Sequence, residues 1–142
     1  MNVTLDECFQ FGLGAFETIG IEQGIPILLD KHLKRLERAA DFLKLGSLSE
    51  RGITARKIEK YLEEQKMRTE VQKEFRNLEH CALKIMLTKE NMVYSLRANH
   101  YTPEKYEKGF FIDISAVKRN ETSPLVYHKT MNYGDCILEK RN

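Results

Sequence analysis

The hydrophobic and polar positions change period several times along the chain, and each change predicts an element. AFETIGI (15–21) reads as a strand and IPILL (25–29) as a second, joined as a hairpin through Glu22, Gln23 and Gly24. Asp30 then stands as a helix N-cap. Leu33, Leu36, Ala40 and Leu43 recur at helical spacing over 31–45, and Gly46 is the expected stop. Opposite that stripe, Lys31, His32, Arg35 and Arg38 share a polar side, because helix positions three and four apart lie above one another. Thr54 caps a second helix, ARKIEKYLEEQK, whose narrow stripe of Ile58, Tyr61, Leu62 and Gln65 suits packing on the outside.

The charged segment 67–79 carries no clean period and fits either a helix extension or a connection. CALKIMLT (81–88) and MVYSLRANH (92–100) read as two strands around a three-residue loop, Lys89, Glu90 and Asn91. TPEKYEKG is a short helical turn with Thr102 as cap, Pro103 first and Gly109 as terminator. FFIDISAV (110–117) alternates, with Phe110, Ile112, Ile114 and Ala116 on one face, which predicts another sheet strand. The polar KRNETSP ends in proline and reads as a linker. The chain therefore divides into a unit over 1–117, a linker at 118–124, and the start of a second unit at 125–142 that holds Lys129 and a helix-like NYGDCILEKRN.

Composition narrows the classes. With 142 residues, 42% hydrophobic and 31% charged, the chain lies in the globular range and can form a core. Its 23 basic and 21 acidic residues are interspersed, so the net charge of +2 provides no field to gather nucleic acid or an anionic membrane. No apolar run approaches the roughly 18 residues of a spanning helix, and MNVTLDECFQ has no signal pattern, so the expected compartment is the cytoplasm. Cys8, Cys81 and Cys136 are odd in number and far apart, which argues for buried or half-buried thiols rather than a disulfide framework. His32, His80, His100 and His128 form no pair at ligand spacing, and no metal site is expected.

Candidate chemistry concentrates at both ends. Gly12 and Gly14 suggest a dinucleotide loop, but Glu17 replaces the third glycine and no β-α-β unit follows. Taken alone, Lys129 is a solvated lysine near a helix start, Arg35 a solvated helix charge, His32 a structural histidine, and Phe16 a core residue.

FGLGAFETI (11–19), HLKRL (32–36) and ETSPLVYHKTMNY (121–133), in that order and spacing, resemble the fold-type IV, class IV aminotransferase-like, pyridoxal-phosphate enzymes. That family includes branched-chain aminotransferases, D-amino-acid transaminases and 4-amino-4-deoxychorismate lyases. The resemblance covers the whole chain but about half of a usual member. It implies an α+β fold, a mostly antiparallel sheet with flanking helices, followed by the start of a second domain.

It also implies pyridoxal 5'-phosphate as cofactor, a small-molecule amine as substrate, and a homodimer with no nucleic-acid or membrane partner. Lys129, in K-T-M-N-Y, matches the lysine that holds the cofactor as a Schiff base; its amine condenses with an aldehyde and, once displaced, serves as a base. That role asks for a pKa lowered toward neutrality. Arg35, in H-x-x-R-L, matches the arginine that contacts the cofactor phosphate, for which a planar fork of fixed charge is suited. Phe11 and Phe16 match aromatic positions lining the substrate pocket, and Tyr133 a tyrosine that in branched-chain members bonds the cofactor's phenolic oxygen.

The wording of these strings resembles the lyase branch most, which forms 4-aminobenzoate and pyruvate for folate synthesis; an amino-acid transaminase is the alternative. Members hold the pyridine nitrogen and the rest of the phosphate with residues that would lie beyond position 142. The resemblance therefore implies an N-terminal half, truncated and inactive by itself. A non-catalytic α+β self-association module is the alternative of another class.

Overall fold

The computed structural model describes residues 2–141. Its centre is a four-stranded antiparallel sheet in the order β2-β1-β3-β4, built from β1 (Ala15–Glu22), β2 (Ile25–Pro26), β3 (His80–Leu87) and β4 (Met92–Ala98). The helices are α1 (Glu7–Phe11), α2 (Leu29–Phe42), α3 (Ala55–Lys66), α4 (Thr69–Glu74), α5 (Pro103–Lys108) and α6 (Gly134–Glu139), with 3-10 turns at Arg76–Leu78 and Pro124–Tyr127. The expected α+β class, an antiparallel sheet flanked by helices, is what forms.

Period two in the strands decides which face is covered. The register pairs Ala15 with Leu87, Glu17 with Ile85, Ile19 with Leu83 and Ile21 with Cys81, so these eight side chains share one face. α2 and α3 close over it with Leu36, Ala39, Ala40, Ile58 and Leu62, all buried. The opposite face carries Phe16 and Thr18 from β1, Lys84 and Met86 from β3, and Ser95 and Arg97 from β4. No helix among the described residues is long and apolar enough to cross a membrane.

Several expectations change once backbone constraints act. The second strand is only Ile25–Pro26, because the chain turns at Leu28, which takes φ 52° and begins the helix at Leu29. Leu28, without a side-chain bond, occupies the cap position expected for Asp30, and Asp30 sits in the first turn, where a carboxylate favours the helix dipole. The same helix ends at Phe42, since Lys44 adopts φ 55° and the Leu45 amide returns to the Ala40 carbonyl at 2.9 Å. That closes the end two residues before Gly46. Thr54 does cap α3, accepting from the Lys57 amide, whereas Thr102 precedes α5 without a side-chain cap bond. The segment 67–79 resolves into α4 and a 3-10 turn whose three residues all have positive φ, held there while Leu78 is fully buried.

FFIDISAV forms no strand. Phe111, Ile112 and Ile114 stand almost wholly exposed, and the segment's bonds are side-chain ones, the Val117 amide donating to Ser115 Oγ at 2.9 Å and the Ser115 hydroxyl to Glu139 at 2.5 Å. Alternation specifies the two faces of a strand but supplies no partner, and an unpaired strand leaves its backbone to water and side chains. Of the three thiols, Cys81 is buried and Cys8 half-buried, while Cys136 is exposed, against the expectation that all three are sheltered.

Asp6 ties the N-terminal segment to the β3–β4 loop. Its carboxylate accepts from Thr88 Oγ1, from the Asn91 side-chain amide at 2.9 Å and from the Glu90 amide at 3.1 Å. The Thr88 bond, ahead of those from the backbone and Asn91, holds this carboxyl below its ordinary value. A lowered folded value means that its contribution is complete above the unfolded carboxylate pKa and is lost as pH falls through the folded one. Thermal midpoints measured from pH 7 to pH 3 should therefore fall more steeply for the unsubstituted chain than for Asp6→Asn.

Candidate functional site

The chain places Lys129 by its backbone. The Phe16 amide donates to the Lys129 carbonyl at 3.2 Å, the Met131 amide donates to the Gly14 carbonyl at 2.7 Å, and Thr130 bridges antiparallel to Ala15. Thr130 is fully buried with Ala15, so its neighbour Lys129 projects to the face of Phe16. There the Lys129 ammonium lies 4.4 Å from the Phe16 ring centroid and 5.1 Å from that of Tyr133. The two rings meet edge to face at 5.3 Å. An ammonium over aromatic faces is held electrostatically while its nitrogen stays partly open.

Arg35 lies on the other side of the β1 start. Its Nε donates to Glu17 Oε1 at 2.5 Å and its Nη2 to Oε2 at 2.6 Å, and His32 Nδ1 sits 2.8 Å from the same Oε2. Glu17 is fully buried on the covered face. Burial pushes its carboxyl up, but the hydrogen bonds from Arg35 and His32 outweigh this and leave it below the usual carboxylate value. Those bonds in turn hold the guanidinium proton more firmly. Two donor positions of the fork, Nε and Nη2, are thus committed to Glu17.

A small cavity of about 110 Å³ is lined by Arg35, Arg38, Tyr127, His128 and Lys129. Stacking of His128 on Phe42, with ring centroids 4.1 Å apart and planes 7° from parallel, docks the segment before Lys129 onto the end of α2. Of the residues singled out from the sequence, Lys129, Phe16 and Tyr133 therefore come together, and Arg35 shares a cavity with Lys129. Phe11, largely exposed at the end of α1, is not among the rings gathered about the ammonium. The residue missed is Glu17. A carboxylate at an inward position of an alternating apolar strand must be paired, and the His32 and Arg35 stripe was its visible partner. Arg38, placed from the sequence on the polar side of the helix but given no role, lines the cavity, and Lys84, also given none, places its ammonium 4.9 Å from the Phe16 ring centroid.

The arrangement offers a primary amine beside a cationic cavity, suited to an anionic group attached to something an amine can attack. Known proteins share parts of the sequence and the fold. The aminodeoxychorismate lyase of Bacillus subtilis (strain 168) is 48% identical over 40 residues, which is 28% of this chain and 14% of that protein. A crystal structure provisionally named 4-amino-4-deoxychorismate lyase superposes with a TM-score of 0.71 at 23% identity, covering 99% of this chain and 54% of that one. Another, under the same provisional name and from Legionella pneumophila subsp. pneumophila str. Philadelphia 1, gives 0.62 at 20% identity, with 99% and 52% covered. The chain spans about half the length of these solved structures, and at such identities they show the fold alone. Residues 14–142 match the family described as Amino-transferase class IV, and the chain belongs to that family.

Proposed function

We propose that this chain carries the lysine-bearing part of a pyridoxal-phosphate-dependent 4-amino-4-deoxychorismate lyase, which yields 4-aminobenzoate and pyruvate. The observation that supports it is Lys129 pinned by backbone bonds to β1, its ammonium against Phe16 and Tyr133, in one cavity wall with Arg35 and Arg38. Two guanidiniums and a lysine around one small cavity suit a phosphate dianion next to an aldehyde, so the residues present fit the cofactor. Arg35 would meet the phosphate with Nη1, its Nε and Nη2 being held by Glu17, and Glu17 would fix the angle of the fork.

When bound, the cofactor supplies an electron sink for the pair left behind as a proton leaves the carbon bearing the substrate amine. Lys129 supplies the amine that holds the cofactor and that takes up that proton once displaced. Phe16 and Tyr133 confine the lysine to one side of the site. Residues 118–124 serve in this reading as the linker to the cofactor domain that begins at 125. The lyase is favoured over a transaminase by the name of the matching Bacillus subtilis relative.

The test is incubation of the chain with pyridoxal phosphate, reduction with borohydride and peptide mapping. Label concentrated on Lys129, and reduced when pyridoxal without phosphate is used, is the expected result; label spread evenly over the surface lysines would reject the reading. The same reading includes a homodimer, so self-association by light scattering together with no label would favour the non-catalytic self-association module, and a monomer would remove the dimer from the reading.

A further inference from the structure

The last residue of β1 and the first of β3 carry a pair that the cofactor reading leaves unused. Glu22 and His80 are direct cross-strand partners at one end of the sheet. His80 Nδ1 lies 2.7 Å from Glu22 Oε1, and His80 Nε2 lies 3.0 Å from the Tyr101 carbonyl oxygen. A carboxylate and a carbonyl can only accept, so both ring nitrogens must donate, and only the imidazolium carries both protons. A neutral ring keeps one of the two bonds and turns a lone pair toward the other oxygen. The His80 side chain is 36% exposed, so protons reach it from solvent without the fold opening.

What the second bond holds is the segment 99–110. Its helix, α5, contains no buried residue. The rings of Tyr101, Tyr106 and Phe110 gather with centroids 5.8 to 6.3 Å apart, but they meet one another. Among the described residues, the bond from His80 to Tyr101 is the one hydrogen bond that ties this segment to the rest of the chain. A cavity of about 720 Å³ lies between the two, with Glu22, Phe75 and His80 on the sheet side and Tyr101, Glu104 and Tyr106 on the segment side.

The charges around the ring favour its protonated form. Lining the cavity with His80 are the carboxylates of Glu22 from β1, Glu74 from α4, Glu79 beside the start of β3 and Glu104 from α5, against the single guanidinium of Arg76. The phenols of Tyr101 and Tyr106 complete the titratable groups there. The hydrogen bond to Glu22, opposed by partial burial and helped by the Glu22 charge, the Tyr101 carbonyl and Glu79, raises the His80 pKa above its ordinary value. A raised folded value means that the contribution of the protonated ring is complete below the ordinary histidine pKa of about 6.5 and is lost as pH rises through the folded one.

We propose that His80 is a pH-operated latch: as imidazolium it ties the segment 99–110 to the end of the sheet across this cavity, and on losing its proton it releases the segment and opens the cavity.

The experiment follows the His80 ring signals and the amide signals of residues 101–109 in the 142-residue chain from pH 5 to pH 9. The two sets should share one midpoint, above the ordinary histidine value, and 101–109 should become more mobile by nitrogen relaxation on its alkaline side. Glu22→Gln, which keeps an acceptor and removes the charge, should lower both midpoints together. His80→Gln should remove the inflection from 101–109, whereas His100→Gln, at an exposed position outside the cavity wall, should leave it in place. Segment signals that do not follow the His80 midpoint, an inflection that survives His80→Gln, or a His80 midpoint at or below the ordinary histidine value would each overturn the proposal.

Discussion

Lys129→Ala should abolish the borohydride-fixed pyridoxal phosphate label while leaving the fold in place. The backbone bonds that position residue 129, from the Phe16 amide and through the Thr130 bridge, do not involve the side chain. What the substitution removes is a half-exposed ammonium from two ring faces, a loss of about 1 kcal/mol or less. The effect on chemistry is complete, because only an unhindered primary amine can condense with an aldehyde. Lys129→Arg separates the two contributions: it keeps a cation over Phe16 and Tyr133 and should restore the small stability loss without restoring the label. Urea melts and peptide mapping on the three chains check this. Label persisting at full stoichiometry in Lys129→Ala would show that the reactive amine is another one.

The second large effect is on stability. Arg35→Leu should destabilise the chain by about 3 kcal/mol at neutral pH, toward the lower end of the range for breaking a buried pair because the arginine side chain is 46% exposed. The cost comes from Glu17, which is 0% exposed and would keep only His32 as partner. Arg35→Lys should recover part of it, since an ammonium restores charge but not the two-pronged geometry.

The pH dependence follows from Glu17. In the unsubstituted chain its carboxyl is held below its usual value, so its contribution is present above the unfolded pKa and is lost as pH falls through the folded value. Without Arg35, burial is opposed by His32 alone and the neutral acid is favoured. The difference between the two chains should therefore be widest near pH 7 and narrow toward pH 3. A constant difference across that range would mean that Arg35 acts through packing.

Lys129, Tyr133 and Arg35 are named through the resemblance of K-T-M-N-Y and H-x-x-R-L to a known family; read alone, Lys129 and Arg35 are solvated charges, because neither periodicity nor a short string says what a charge will meet. Glu17 was not legible in the same way. It sits in AFETIGI as an acid among alternating residues, and only packing of α2 on β1 shows that it is the buried anchor of Arg35. Lys84 escaped for a related reason. Its significance lies in being opposite Thr18 and near Phe16, which are sixty-six and sixty-eight residues away in sequence, and cross-strand register is not written in either strand alone.

By itself, then, the sequence determined the two longest helices, the two antiparallel hairpins, the polar side of α2 and the family, because these depend on local periodicity, turn chemistry and short strings of residues. Tertiary structure decided where elements stop and which charges meet. Leu28 and Lys44, at positive φ, set the ends of α2 in place of Asp30 and Gly46. FFIDISAV, with a strand's alternation, remains unpaired because pairing requires a neighbouring edge and not only a pattern. The Glu17–Arg35 pair exists only through a contact between separate elements, β1 and α2, which the balance of burial and charge selects in the folded chain.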